Sequence, residues 1–160
     1  MSVAFTKEES SETAAETRLP DRPVSEHPNL VTENGLKQLR ASLDAARAAY
    51  DAANGIEDIN EKRRQQAVPV RDARYYAERV RSAELVPDPA SNDIIAFGST
   101  VTYSRDDHPP QTYRIVGEDE ADPKSGSISF ASPVARALMG KAVGDVVEVS
   151  GHELEIISIS

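Results

Sequence analysis

The stretch SISFASPVARALMGKAVGDVVEV, residues 127–149, decides how the chain is read. It predicts a strand, a short helix, a tight turn and another strand. Ser132 has the chemistry of an N-cap, and Pro133 fits the first helical position, where a missing N–H leaves no bond unmade. Val134, Ala137 and Leu138 fall on one helical face at i, i+3 and i+4. Gly140 follows as a helix stop, with Lys141 near the carbonyl end of the helix dipole. Val143-Gly144-Asp145 then turns the chain into the next strand.

Downstream of Ile94 the hydrophobic period is two. Phe97, Ser99, Val101 and Tyr103 alternate with Gly98, Thr100 and Thr102, and Tyr113, Ile115 and Gly117 alternate with Arg114 and Val116. Arg105 to Pro110 reads as the turn between these two strands. Ile128 and Phe130 mark a third strand, Val146 to Val149 a fourth, and Leu154 to Ile159 a fifth, with Ser150-Gly151-His152 as a hairpin loop. The expectation is an α+β domain over residues 89–160: an antiparallel sheet of about five strands carrying one short helix.

Upstream the period changes. Thr32 is a candidate N-cap, with Val31 and Leu36 placed as a hydrophobic staple. Leu36, Leu39, Leu43, Ala46, Tyr50 and Ala53 then follow at alternating spacings of three and four, a heptad seam. Asn54-Gly55 supplies C-cap chemistry. A weaker seam runs through Val70, Ala73, Ala77 and Val80 in a second helix from about Asp58 to Leu85. The narrow apolar stripe suits two helices packed on each other, so residues 30–88 are read as an antiparallel α-helical hairpin, a coiled coil. Pro69 is expected to kink the second helix or delay its start.

Residues 1–29 are rich in Glu, Ser and Thr and poor in apolar groups, which predicts a disordered acidic tail. Val3-Ala4-Phe5 is its one apolar cluster and a candidate partner-binding peptide.

Among 160 residues the 39% hydrophobic and 5% aromatic content argues against one large core. The absence of cysteine excludes a disulfide framework and Cys-based zinc sites. No apolar run approaches the ~18 residues of a membrane span, and no basic leader precedes an apolar block, so a cytoplasmic protein is expected. The net charge of −9 argues against free nucleic acid as the main partner. It is unevenly spread: −3 over residues 1–29, zero over 30–88 and −6 over 89–160.

FGSTVTY (97–103), YRIVGEDEAD (113–122) and SPVARALMGKAVGDVVEV (132–149) together resemble the C-terminal domain of the bacterial transcript cleavage factors of the GreA/GreB family. The hairpin opening with VTENGLKQLR (31–40) is similar to that family's N-terminal coiled coil. The resemblance implies a factor that binds bacterial RNA polymerase. An FKBP-like sheet domain would dock at the secondary channel through the surface around Ser132 and Pro133. The arm would enter the channel, and two acids at its tip would help hold a catalytic Mg²⁺ while the polymerase cleaves backtracked RNA. Nascent RNA is then met only indirectly. The factor binds no cofactor alone, is no enzyme itself, and is expected to be a monomer.

The family's tip pattern, an Asp and a Glu three apart, falls here on Asp58 and Glu61. Magnesium takes hard oxygen ligands, and one or two protein carboxylates suffice when other ligands come from elsewhere. The same spacing also reads as a capping box opening the second helix, and Glu61 with Arg64 as a surface pair. The hairpin is about a heptad shorter on each side than the family's arm, ~10 Å of helix. That feature resembles the Rnk branch, which binds polymerase without stimulating cleavage. An FKBP-like fold also admits a prolyl isomerase, against which the few aromatics of residues 94–160 argue.

The basic run Lys62-Arg63-Arg64, with Arg71, Arg74, Arg79 and Arg81, reads either as a contact for RNA or an acidic wall, or as a solvated face balanced by nearby acids. His27, His108 and His152 are too dispersed to suggest a metal site.

Overall fold

The structure, a computed structural model, describes residues 18–160 and divides into two compact units. One holds residues 26–38 and 83–160; the other holds the rest of the helical hairpin, residues 39–82, together with residues 18–25. The root of the hairpin, residues 30–38 and 83–88, therefore belongs with the sheet.

In the sheet unit, β1 (Leu30–Val31) pairs in parallel with β2 (Glu84–Leu85), joining the chain just before the arm to the chain just after it. Glu84 N–H donates to Asn29 C=O and Val86 N–H to Val31 C=O, at 2.8 and 2.9 Å. The main sheet comprises β3 (Thr100–Arg105), β4 (Gln111–Val116), β5 (Ser127–Ser129), β6 (Val146–Val149) and β7 (His152–Ile159), in the order β5-β4-β3-β7-β6. The five strands fall in the five segments that the alternation marked, although β3 starts at Thr100 and runs through Arg105, leaving Phe97 and Ser99 outside it. The sheet is not wholly antiparallel, however: β4 and β5 run parallel, Arg114 opposite Ser127 and Val116 opposite Ser129. The chain between them crosses over through a 3₁₀ turn at Pro123–Ser125 instead of folding back as a hairpin.

The core forms between one sheet face and the helix Pro133–Leu138, with Val101, Tyr103, Ile115, Leu154 and Ile156 against Ala135 and Leu138. Fully burying each large aliphatic side chain is worth ~1.5–3 kcal/mol relative to leaving it exposed. A β-bulge opposite Thr102 and Tyr103 adds Ile157 to β7 as an extra residue, so that Ile157 and Ser158 are both exposed where strict alternation would have turned one of them inward. Ser150 and Gly151 both take positive φ in the two-residue turn joining β6 to β7, as a type I′ hairpin requires. Gly117 is needed for a different reason: a Cβ there would stand 2.3 Å from Leu30 O, inside any permitted contact.

In the other unit, the arm is built from α1 (Glu33–Ala52), which begins in the sheet unit, and α2 (Ile59–Ser82), joined through a 3₁₀ turn at Ala53–Gly55. Leu39, Leu43, Ala46 and Ala53 of the predicted seam are buried; Tyr50 is 38% exposed and lies at its edge. Gln66 Nε2 reaches Tyr50 C=O at 3.1 Å and Asn54 Oδ1 at 3.0 Å, fixing the reversed register of the two helices near the tip. Pro69 does not delay α2, which runs unbroken through it. Gln65, whose carbonyl loses its helical partner to the proline, is exposed to solvent.

Of the segment read as a disordered tail, residues 1–17 and with them Val3-Ala4-Phe5 lie outside the described residues. Residues 18–29 have no regular structure but are held by specific contacts. Arg22 stacks its guanidinium 3.9 Å from the Tyr75 ring centroid and pairs with Asp72 at 3.3 Å. His27 packs edge-on against Phe130, and Asn29 is buried. The tail reading weighed apolar burial alone, and these residues are fixed by charge and aromatic contacts instead.

Candidate functional site

At the turn of the arm, Ile56 N–H closes the 3₁₀ turn on Ala53 C=O, and Ile56 itself is extended. Asp58 then opens α2. Its Oδ1 accepts from the backbone N–H of both Asn60 and Glu61, each at 2.9 Å, so Asp58 is the helix cap that its position in the sequence predicted. Both bonds use one oxygen.

Glu61 does not complete a capping box. Its Oε2 accepts from Arg64 Nε at 3.0 Å and Nη2 at 2.8 Å, and its Oε1 from Gln65 Nε2 at 2.9 Å. The Gln65 hydrogen bond first, then that of Arg64, holds the Glu61 carboxyl below its usual range, so it is ionised at neutral pH. The tip thus presents two exposed carboxylates on one helical turn. Among the described residues no group of three or more His, Cys, Asp or Glu side chains is placed to hold a metal. Two carboxylates fit a shared site, in which a partner supplies the remaining oxygen ligands.

The basic run divides. Arg64, Arg71, Arg74 and Arg81 pair with Glu61, Asp72, Asp21 and Glu78, so the reading of a balanced, solvated face holds for them. Arg79 departs from it, with 2% of its surface exposed.

In the sheet unit, Ser132 caps the helix Pro133–Leu138, its Oγ accepting from Ala135 N–H at 3.3 Å. Pro133 and Arg136 are exposed beside it, while Ala135 and Leu138 are fully buried. The helix therefore offers its polar side as surface and its apolar side as core. His152 Nδ1 stands 3.0 Å from Asp106 Oδ2 and His27 lies against Phe130, both far from the tip in sequence.

One positioning residue escaped the sequence analysis. Glu120, in the loop after β4, accepts from Thr32 Oγ1 at 2.5 Å and from Asn34 Nδ2 at 2.8 Å, while Thr32 Oγ1 caps α1 by accepting from Gly35 N–H. The root of α1 is thereby pinned to the sheet, with a carboxylate at the positive end of the helix. The acidic string from Glu118 to Asp122 marks the loop but gives no sign of which acid reaches back 88 positions.

Fold and site together define a class of protein: a mixed-sheet unit with a capped surface helix, and a helical hairpin whose turn carries exposed carboxylates. Residues 90–160 match the family model described as the C-terminal domain of transcription elongation factor GreA/GreB. The chain is 39% identical over 153 residues to transcription elongation factor GreA of Methylobacterium nodulans, covering 92% of this chain and 90% of that protein. With GreA of Chelativorans sp. it shares 38% over 131 residues, covering 81% and 77%. The crystal structure of the GreA factor homolog Gfh1 of Thermus thermophilus shares 20% identity, with a TM-score of 0.39 over 82% of this chain and 97% of that one. The chain belongs to the GreA/GreB family of transcription elongation factors.

Proposed function

We propose that the protein regulates transcription elongation by binding bacterial RNA polymerase, with the arm in the secondary channel and the sheet unit, read as FKBP-like, docked outside through the surface around Ser132 and Pro133. The observation that carries this reading is the pair of exposed acids, Asp58 and Glu61, at the turn of the arm in a GreA/GreB-family chain. A magnesium ion held jointly with the polymerase would stabilise the attacking and leaving oxygens when backtracked RNA is cleaved. Asp58, capping through one oxygen, has the other to offer. Glu61 has to leave Arg64 and Gln65 to offer either of its own. The factor brings ligands to an active site that is not its own, meets nascent RNA there only indirectly, and acts as a cytoplasmic monomer.

A transcript cleavage assay on stalled elongation complexes tests this. Wild-type protein should stimulate cleavage, and Asp58→Asn and Glu61→Gln should abolish it while polymerase binding is retained. Asn caps a helix about as well as Asp, so Asp58→Asn removes charge without unfolding the tip. Stimulation that survives both substitutions removes the metal-delivery role. Binding with no stimulation by the wild type favours the Rnk-like reading, which the arm's length motivates: α1 spans ~30 Å at 1.5 Å per residue.

A further inference from the structure

Helix α2 carries a receptor for the chain's own N-terminal segment. Tyr75 and Tyr76 meet edge to face with centroids 5.3 Å apart. The Arg22 guanidinium carbon lies 3.9 Å from the first ring centroid and 5.1 Å from the second. Its Nη1 is 3.3 Å from Asp72 Oδ1, which also accepts from Arg71 Nε at 3.1 Å. One residue earlier in the segment, Asp21 Oδ1 pairs with Arg74 Nη1 at 3.3 Å. The segment thus alternates charge, minus at residue 21 and plus at 22, against the opposite alternation at residues 74 and 72. A cation over aromatic rings with a carboxylate at its edge is a geometry that a planar guanidinium fills better than an ammonium.

The receptor sits just past the weakest point of α2. Pro69 has no N–H to give Gln65, and its ring crowds that carbonyl, so the helix lacks one of its own bonds one turn before Asp72. Residues 72–76 are where an external brace has most effect.

We propose that residues 18–25 are a strap that docks on the Asp72–Tyr75–Tyr76 face of α2, with Arg22 as its key, and braces the turn of α2 that follows Pro69. The strap stabilises the turn of helix following the proline, and its release loosens that turn without unfolding the sheet unit. The inference concerns the isolated protein and does not depend on the polymerase reading.

Backbone amide exchange on the full-length chain tests it. Arg22→Ala should speed exchange of the amides of residues 70–76 about five- to tenfold, in keeping with the loss of its cation–π contacts and one half-buried ion pair. Exchange within the sheet should be unchanged. Arg22→Lys, which keeps the charge but not the plane, should fall between. Unchanged exchange at residues 70–76 in Arg22→Ala overturns the brace, and so does an increase shared equally by the sheet. An independent readout needs no variant: stacking over two rings should move the Arg22 side-chain proton resonances upfield, and their appearance at random-coil positions overturns the docking itself.

Discussion

Replacing Glu120 by Ala tests whether the arm's root is pinned as described. The carboxylate accepts from Thr32, which is 3% exposed, and from the exposed Asn34. A hydrogen bond to a charged acceptor contributes ~1.5–3 kcal/mol when its partner is buried, and an exposed one much less. Adding the loss of a favourable charge at the α1 N-terminus gives about 2–3 kcal/mol in all. For a chain of this size each kcal/mol moves the midpoint by roughly 2–4 °C, so thermal unfolding should shift down by roughly 4–12 °C. Gly35 supplies the control. A Cβ there would stand 2.8 Å from Glu120 Oε1, an atom otherwise free to swing aside but held here by Thr32, while Asn34 holds the other carboxylate oxygen, Oε2. Gly35→Ala should therefore destabilise the wild type. In the Glu120→Ala background it should be neutral or stabilising, since Ala is favoured over Gly within a helix by ~1 kcal/mol. A Glu120→Ala midpoint within about 1 °C of wild type, or a Gly35→Ala effect of the same sign and size in both backgrounds, would refute the pin.

Gly117→Ala should destabilise by ~1–3 kcal/mol or more, because the obstructing atom is the Leu30 backbone oxygen and cannot rotate away; a denaturation midpoint checks it. Deleting residues 1–29 should lower the unfolding midpoint, since Arg22 and the buried Asn29 go with it. Burial raises the Tyr103 phenol above its ordinary value, with the neighbouring Tyr113 adding to the shift. Its contribution to stability is then complete below pH ~10 and falls away as pH climbs through the raised folded-state value; Tyr103→Phe should flatten that alkaline limb. Pro133→Ala in the full chain should weaken polymerase binding while leaving the fold intact, because Pro133 is exposed; unchanged binding argues against docking through this surface.

The parts of the fold legible in the sequence are those written in local chemistry. Ser132-Pro133 starts a helix, the chain turns at Ser150-Gly151, and alternating Val101 and Tyr103 face inward, each decided by residues within a turn or two. The heptad seam was likewise readable because it is periodic. The parallel pairing of β4 with β5 was not: a three-residue strand after a loop looks the same whether the chain has turned back or crossed over. β1 and β2, two residues each, are too short to carry a period. At the candidate site the cap at Asp58 was readable, while the roles of Glu120, Arg22 and Arg79 rest on partners or burial that only the folded chain supplies.

That difference bears on the tip. Asp58 and Glu61 were joined in the sequence by a spacing that serves both capping and metal delivery, and the structure divides the two residues. Asp58 does its folding work with one oxygen, so a second role does not compete with the first. Glu61 does no capping; it is held by Arg64 and Gln65, in bonds worth little at an exposed site. The contacts that lower its carboxyl pKa are the same ones that have to be given up if it is to bind anything else. The consequence is a difference in what each residue's removal would reveal. Asp58→Ala should lower arm stability by about 0.5–2 kcal/mol whether or not the protein acts on RNA cleavage. Glu61→Gln should leave stability almost untouched, so any effect it has on cleavage reports function alone. Arg64→Ala, which releases Glu61 Oε2, should raise cleavage stimulation if Glu61 delivers metal and leave it unchanged if it does not.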